Sequence, residues 1–241
     1  MQLGLIGRSL QHSFSKEYFT RKFSKMAGHY TYSNFELEDI SAFPQLLEQH
    51  PKLKGLNVTI PYKEKIIPFL SSMAPEAIEV GAVNTITIGN GETRGYNTDT
   101  YGFEKSLQPR LKPYHKKALI LGSGGASKAV AYILKKLEIE FLKVSRAPVS
   151  GQIGYDEAGS LLSEHLLVIN TTPLGTYPNT ENTPPLDISS LTNKHLCYDL
   201  IYNPPQTLFL RQAAQMGAQT INGREMLELQ AEKAWDIWNE F

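Results

Sequence analysis

The chain has 241 residues, 24 basic against 24 acidic, for a formal net charge of zero, and a single cysteine. The balance removes the electrostatic case for nucleic acid or an anionic membrane surface and favours a small-molecule substrate. The lone Cys197 excludes an internal disulfide, and within an apolar run it reads as a buried, inert thiol in a reducing compartment. No run approaches the roughly 18 apolar residues that a spanning helix needs, and the N-terminus lacks the basic-then-apolar pattern of a secretory leader. A cytoplasmic protein without a resident metal is expected, and its length suits two small domains.

Taken in chain order, residues 3–7 read as a short buried strand, and 16–26 carry Tyr18, Phe19, Phe23 and Met26 at helical spacing. The alternation continues with a strand over 30–37, a helix over 40–48, a strand over 55–59 and a helix from Pro61, since proline suits a first helical turn. Strands alternating with helices predict an open α/β sheet. A strand over 82–88 and another over 93–96 flank Gly89-Asn90-Gly91, a hairpin signal that implies an antiparallel edge. A helix from Asp99 through Phe103 and Leu107 leads to a proline-punctuated stretch at 109–113. Five strands follow, over 117–121, 140–145, 166–170, 195–200 and 218–221, with helices between them, as in a compact nucleotide domain. Residues 223–241 place Met226, Leu227, Ala234, Trp235 and Trp238 on one helical stripe, expected to pack back on the first domain. The domains are accordingly 1–99 with 223–241, and 100–222.

The turn Gly122-Ser123-Gly124-Gly125-Ala126 follows a strand and opens a helix over 128–137, the setting in which a backbone can approach a pyrophosphate at a helix N-terminus. Ser127 stands where the usual spacing has a third glycine. About 20 residues on, an NAD enzyme places an acid for the ribose hydroxyl. Here the strand ends in Val144-Ser145-Arg146, and an arginine there favours a 2′-phosphate, so NADP(H) is the expected cofactor. Ser145 would donate a hydrogen bond to the same phosphate.

Polar groups recur at the ends of the earlier strands: His12-Ser13-Phe14-Ser15, Thr59 before Pro61, Lys63, and Asn97-Thr98-Asp99. Singly, each has an ordinary structural reading. Ser13 or Asp99 could cap a helix, Ser15 and Thr59 could sit in serine/threonine turns, and Lys63 could be a solvated surface cation. Their joint position at successive strand ends is what points to a site.

Eight ordered segments carry a resemblance that runs from Gly4 to Trp235. They are Gly7 with residues 12–15, residues 55–63, 81–85, Gly95 with 97–99 and Gly102, 122–129, 169–175, 198–202, and Gly223 with Met226-Leu227 and Gln230-Ala231. The chain resembles the shikimate dehydrogenase family. The resemblance implies an N-terminal substrate domain with a mixed sheet, a Rossmann-like NADP domain, and reversible NADPH-dependent reduction of 3-dehydroshikimate to shikimate. It makes Lys63 and Asp99 the catalytic pair and sets Ser13, Ser15, Thr59, Asn84, Tyr202 and Gln230 around the substrate. It lines the cofactor with residues 122–127, Ser145, Arg146, Thr171, Leu200 and Gly223. Gln230 also shares the helical stripe of Leu227 and Ala234, and a buried glutamine needs partners of the kind a polyol supplies.

The chain departs from the family pattern at Ser9, at Lys16, Phe19 and Thr20 after Ser15, at Ser145 and Ala147 beside Arg146, and at Thr176. The alternatives are a quinate/shikimate dehydrogenase of broader substrate and cofactor range, a folate-type dehydrogenase, and a non-catalytic NADP-binding regulator. A monomer or a homodimer suits each of them.

Overall fold

The computed structural model describes residues 1–10 and 13–240, so His12 of the first polar segment lies outside the described residues. The chain forms two compact units, Met1–Thr98 with Ala231–Phe241, and Asp99–Gln230.

The first unit runs β1 (Gln2–Gly7), α1 (Phe14–Phe23), β2 (Thr31–Glu36), a 3₁₀ turn Ile40–Ala42 continuing into α2 (Phe43–Gln49), β3 (Leu53–Val58), β4 (Ser72–Met73), α3 (Pro75–Val80), β5 (Thr85–Gly89) and β6 (Glu92–Tyr96). Its six strands lie in the order β2-β1-β3-β5-β6-β4. The first three are mutually parallel, and β5 runs antiparallel to both β3 and β6. The expected hairpin joins β5 to β6 through Asn90 and Gly91, both at positive φ. Side chains alternate across the sheet, so β1 sends Leu3 and Leu5 into the cluster of Phe19, Tyr32 and Trp238 and Ile6 into that of Phe43, Leu56 and Tyr62.

The helix expected from Pro61 does not form. The Lys63 carbonyl accepts from Val83 N–H (2.7 Å) and is spent outside any helical ladder, and Tyr62, buried, donates its hydroxyl to the Leu37 carbonyl (2.6 Å). Lys63 therefore stands on a pinned turn, and a 3₁₀ turn follows at Ile67–Phe69. The sequence pattern also passed over α3, which begins at Pro75 and ends where Gly81 turns left-handed (φ 68°).

The second unit contains α4 (Asp99–Leu107), β7 (Lys117–Leu121), α5 (Gly125–Lys136), β8 (Glu140–Val144), β9 (Gln152–Ile153), α6 (Tyr155–Ser160), β10 (Leu167–Asn170), β11 (Leu196–Asp199), α7 (Leu208–Gln215) and β12 (Gln219–Ile221). Helix α8 (Arg224–Glu240) starts in this unit and finishes in the first. The sheet has six strands rather than five, ordered β12-β11-β10-β7-β8-β9, because a two-residue strand extends the edge beyond β8. All of its pairings are parallel. Both faces are covered. On β7, Ala118 and Ile120 enter one apolar cluster and Leu119 and Leu121 the other, and β10 divides in the same way.

Helix α8 does not present one uniform stripe. Met226 joins a core of the second unit, whereas Ala234, Trp235 and Trp238 pack with Leu3 and Phe19 in the first. The Trp238 indole N–H donates to the Ile86 carbonyl (2.9 Å), and a Cβ on Gly55 would lie 2.2 Å from the indole nitrogen, so the bare strand there makes the seat for the ring.

Two buried histidines close the amino ends of β7 and β11 in the same way. His115 Nδ1 accepts from Lys112 N–H (3.0 Å) with Nε2 facing the Lys194 carbonyl, and His195 Nδ1 accepts from Thr192 N–H (2.9 Å) with Nε2 facing the Leu162 carbonyl. Burial, above all, holds the His115 pKa below the ordinary imidazole value, and the nearby His195 adds to this. The unfolded chain therefore takes up the proton first. The stability that His115 contributes is complete above pH about 6.5 and is lost as the pH falls below it, by at most about 1.4 kcal/mol per pH unit. Thermal unfolding between pH 7.5 and 5 should show a fall in Tm that His115→Gln flattens.

Candidate active site

In the first unit the candidate polar groups gather around the carboxyl ends of β1 and β3. Thr59 follows β3, its N–H bonded to the Ile6 carbonyl (2.9 Å). Ser13 is the N-cap of α1 and accepts from Lys16 N–H (3.2 Å), so its helix-capping reading holds whatever else it does. Ser15, two residues on, shares a hydrogen bond with the Tyr32 hydroxyl, which also donates to Asn57 Oδ1 (2.7 Å). Burial carries the Tyr32 phenol far above its usual range, the Ser15 bond pulling the other way, so it remains a neutral donor.

Asn57 Nδ2 reaches the Asn84 carbonyl and Thr85 Oγ1, each at 3.1 Å. Asn84 Oδ1 in turn accepts from Thr98 N–H (2.7 Å), while its Nδ2 donates to Thr98 Oγ1 (3.0 Å). A chain of amides and hydroxyls, buried from Tyr32 onward, thus runs from Ser15 to Thr98, the residue before Asp99. Tyr32 was not singled out by sequence, and Asn57 and Thr98, though inside marked segments, were given no role there. Their signal was a polar residue interrupting or ending an otherwise apolar strand. Phe19, a departure from the family pattern, is fully buried and stacks on Tyr32 with ring centroids 4.7 Å apart.

In the second unit Asp99 is buried in the first turn of α4, where the helix dipole favours a carboxylate. Gly102 lets α4 meet α8 closely: a Cβ there would lie 2.4 Å from the Met226 carbonyl oxygen and 3.2 Å from Gln230 Cβ. The contact brings the Asp99 end of α4 beside Gln230, which is buried and donates through Nε2 to the Leu227 carbonyl (2.9 Å). Tyr202 is half-buried in the loop after β11. Gly223 N–H donates to the Ile201 carbonyl (2.9 Å), and Leu200 N–H to the Asn170 carbonyl (3.0 Å).

The glycine turn follows β7. From β7 the chain runs through β8 and β9 on one side and then crosses to β10 on the other, so the loops after β7 and β10 flank the topological switch point, where open α/β sheets hold ligands. Gly122 has φ +107° and stands against Thr171 and Thr172, while Thr171 Oγ1 donates to the Leu121 carbonyl (2.7 Å). Gly124 is the N-cap of α5 with no side chain capping the helix, and a Cβ on it would meet nothing within 4 Å. Ser123 is exposed, Gly125 and Ala126 begin α5, and Ser127 turns inward, donating to the Gly124 carbonyl (2.6 Å). Helix α5 thus starts at residue 125, not 128, which puts the glycines themselves at the N-terminus. After β8, Ser145 Oγ accepts from Ala147 N–H (3.3 Å), and Arg146 is exposed, its guanidinium making no ion pair or hydrogen bond among the described residues. An open, uncapped helix start and an uncommitted cation beyond the next strand fit a phosphorylated dinucleotide.

A parallel sheet with such a turn at its switch point puts the second unit in the nucleotide-binding class of α/β folds. Comparison with known proteins narrows the class. Residues 5–86 match the family model described as shikimate dehydrogenase substrate binding domain. The chain is 38% identical to a shikimate dehydrogenase (NADP(+)) of Carboxydothermus hydrogenoformans, over 98% of this chain and 90% of that one. Among solved structures, shikimate dehydrogenase 1 of Peptoclostridium difficile is 36% identical with a TM-score of 0.85, covering 99% of this chain and 91% of its own. A Thermus thermophilus shikimate 5-dehydrogenase, solved with NADP(H) and shikimate, is 28% identical with a TM-score of 0.84, covering 100% and 94%. The chain belongs to the shikimate dehydrogenase family.

A methyl group at position 102 would meet backbone, which cannot rotate away. Gly102→Ala is expected to destabilise the protein by about 1–3 kcal/mol and to lower turnover, as read by thermal unfolding and steady-state rates. An unchanged Tm would mean that α4 and α8 separate without cost.

Proposed function

We propose that this chain catalyses the reversible NADP(H)-dependent interconversion of 3-dehydroshikimate and shikimate. The full-length likeness to proteins named for that activity carries the reading. Most of the substrate groups would come from the first unit, and the cofactor groups from the second. Ser13, Ser15, Thr59, Asn84, Tyr202 and Gln230 are assigned to the carboxylate and hydroxyls of the substrate. The turn at 122–127, Thr171, Leu200 and Gly223 are assigned to the dinucleotide, with Ser145 and Arg146 on its 2′-phosphate.

NADPH, when bound, supplies the hydride for the carbonyl carbon. Lys63 as an ammonium stabilises charge developing on the carbonyl oxygen and gives it the proton. In the reacting complex Asp99 orients that ammonium through a charge-assisted hydrogen bond. The pinned turn of Lys63 supports this role, because a proton donor held by its own backbone needs little reorganisation. The reading carries with it a cytoplasmic enzyme, monomer or homodimer, whose substrate and cofactor are both small. Among the described residues no helix is long and apolar enough to cross a membrane.

The test is an initial-rate assay of shikimate oxidation with NADP⁺, run beside quinate and NAD⁺. Shikimate with NADP⁺ should give the highest kcat/KM, whereas equal rates with quinate would favour the broader dehydrogenase. Lys63→Ala should lower kcat by about 10²–10⁴ with little change in KM; if turnover survives, another group donates the proton. Arg146→Glu should weaken NADPH far more than NADH, and an equal loss for both would remove Arg146 from the phosphate.

A further inference from the structure

Asp199 ends β11 as a fully buried carboxylate, and three donors from three different segments converge on it. Asn170 Nδ2, at the end of β10, reaches Oδ1 at 3.0 Å, and Ile201 N–H, in the loop after β11, reaches the same oxygen at 3.0 Å. Thr207, the buried N-cap of α7, donates its hydroxyl to Oδ2 at 2.6 Å. The network continues through Asn170: its Oδ1 accepts from Thr172 N–H (3.0 Å) and Thr172 Oγ1 (2.7 Å), and Thr172 Oγ1 accepts from Leu174 N–H (3.3 Å). Thr172 is one of the residues that Gly122 stands against across the switch point, with its Cγ2 3.0 Å from a Cβ placed on that glycine.

A buried charge is costly unless its lone pairs are satisfied, and a carboxylate accepts on both of its oxygens where an amide offers a single acceptor atom. We propose that Asp199 is a positioning residue for the cofactor, its one carboxylate holding the loops after β10 and β11 in register with the glycine turn after β7. It acts through Asn170 and Thr172 and touches no ligand itself. The inference rests on the assignment of NADP(H) to this unit.

Protonation should weaken the clamp, because a carboxylic acid keeps fewer acceptor sites. Burial pushes the Asp199 pKa up to about 6, against the pull of Thr207, Ile201 and Asn170. Among the described residues Cys197, on the same strand, senses this charge, its thiol pushed up to about 12 by burial and then by Asp199. The clamp is therefore charged above pH about 6 and is lost as the pH falls through that value.

The experiment titrates full-length wild type, Asp199→Asn and Asn170→Ala with NADPH, followed by cofactor fluorescence between pH 5.5 and 8, together with Tm and steady-state kinetics at pH 7.5. Asp199→Asn keeps the shape and removes the charge, and Asn170→Ala leaves the bonds from Ile201 and Thr207 in place should the first variant fail to fold. Both should weaken NADPH about fivefold to tenfold at pH 7.5, with kcat at saturating cofactor and the KM for shikimate little changed. The gap between wild type and Asp199→Asn should close toward pH 5.5. A lowered Tm with unchanged NADPH affinity in either folded variant, or a gap that is constant with pH, overturns the role of Asp199. A wild type that binds no NADPH overturns the cofactor assignment itself, and this inference with it.

Discussion

A parallel sheet covered on both faces leaves its interior strands no room for polar chemistry except at their ends, and most of the second unit follows from that restriction. Residues 118–121 of β7 and 167–169 of β10 are fully buried and wholly apolar. Apart from the Tyr198 hydroxyl, which pairs with Ser106, the polar side chains of β10 and β11 come at the carboxyl ends, as Asn170 and Asp199, each held by hydrogen bonds in place of water. Desolvation confines the ionisable groups, and the order of the strands then decides which strand ends face one another. The glycine turn needs to be open and uncapped only because it lies at the one place where the sheet reverses its winding.

The first unit answers the same restriction differently. Its sheet is mixed, and its polar chain from Ser15 through Tyr32, Asn57 and Asn84 to Thr98 runs among buried strands. Each amide in that chain satisfies its neighbour, so the segments that carry Thr59 and Asp99 are specified by hydrogen-bond complementarity as much as by apolar packing. A substitution in it would leave a partner unsatisfied inside the protein, and its effect would extend past the residue changed.

Much of this was legible in the residues, and the failures have physical causes. The hairpin at Asn90-Gly91 and the turn at 122–126 were readable because positive φ and close backbone approach restrict the residue type locally. The apolar runs of β7, β10 and β11 were readable because burial on both faces demands them. The region after Pro61 misled, since Tyr62 and Ile66 have helical spacing while the bonds that decide the matter come from Leu37 and Val83, remote in sequence. β9 offers no run to see, being two residues that exist as a strand only through their pairing with β8. Asp199 was visible as part of a family segment, but its three donors come from positions 170, 201 and 207, and no spacing rule joins them.

The division of α8 between the units has a consequence for biosynthesis. The first sheet is interrupted after residue 98 and recovers the chain only at residue 231, where Trp235 and Trp238 enter its core. A ribosome adding about 5–20 residues per second needs on the order of ten seconds to make the intervening segment. By the end of that interval the second unit has its whole sequence, whereas the first still exposes the aromatic surface of Phe19, Phe23 and Tyr32 that the tryptophans later cover. The unit begun first is therefore completed last, and the nascent chain is most exposed to chaperones and proteases along the face that awaits the end of α8.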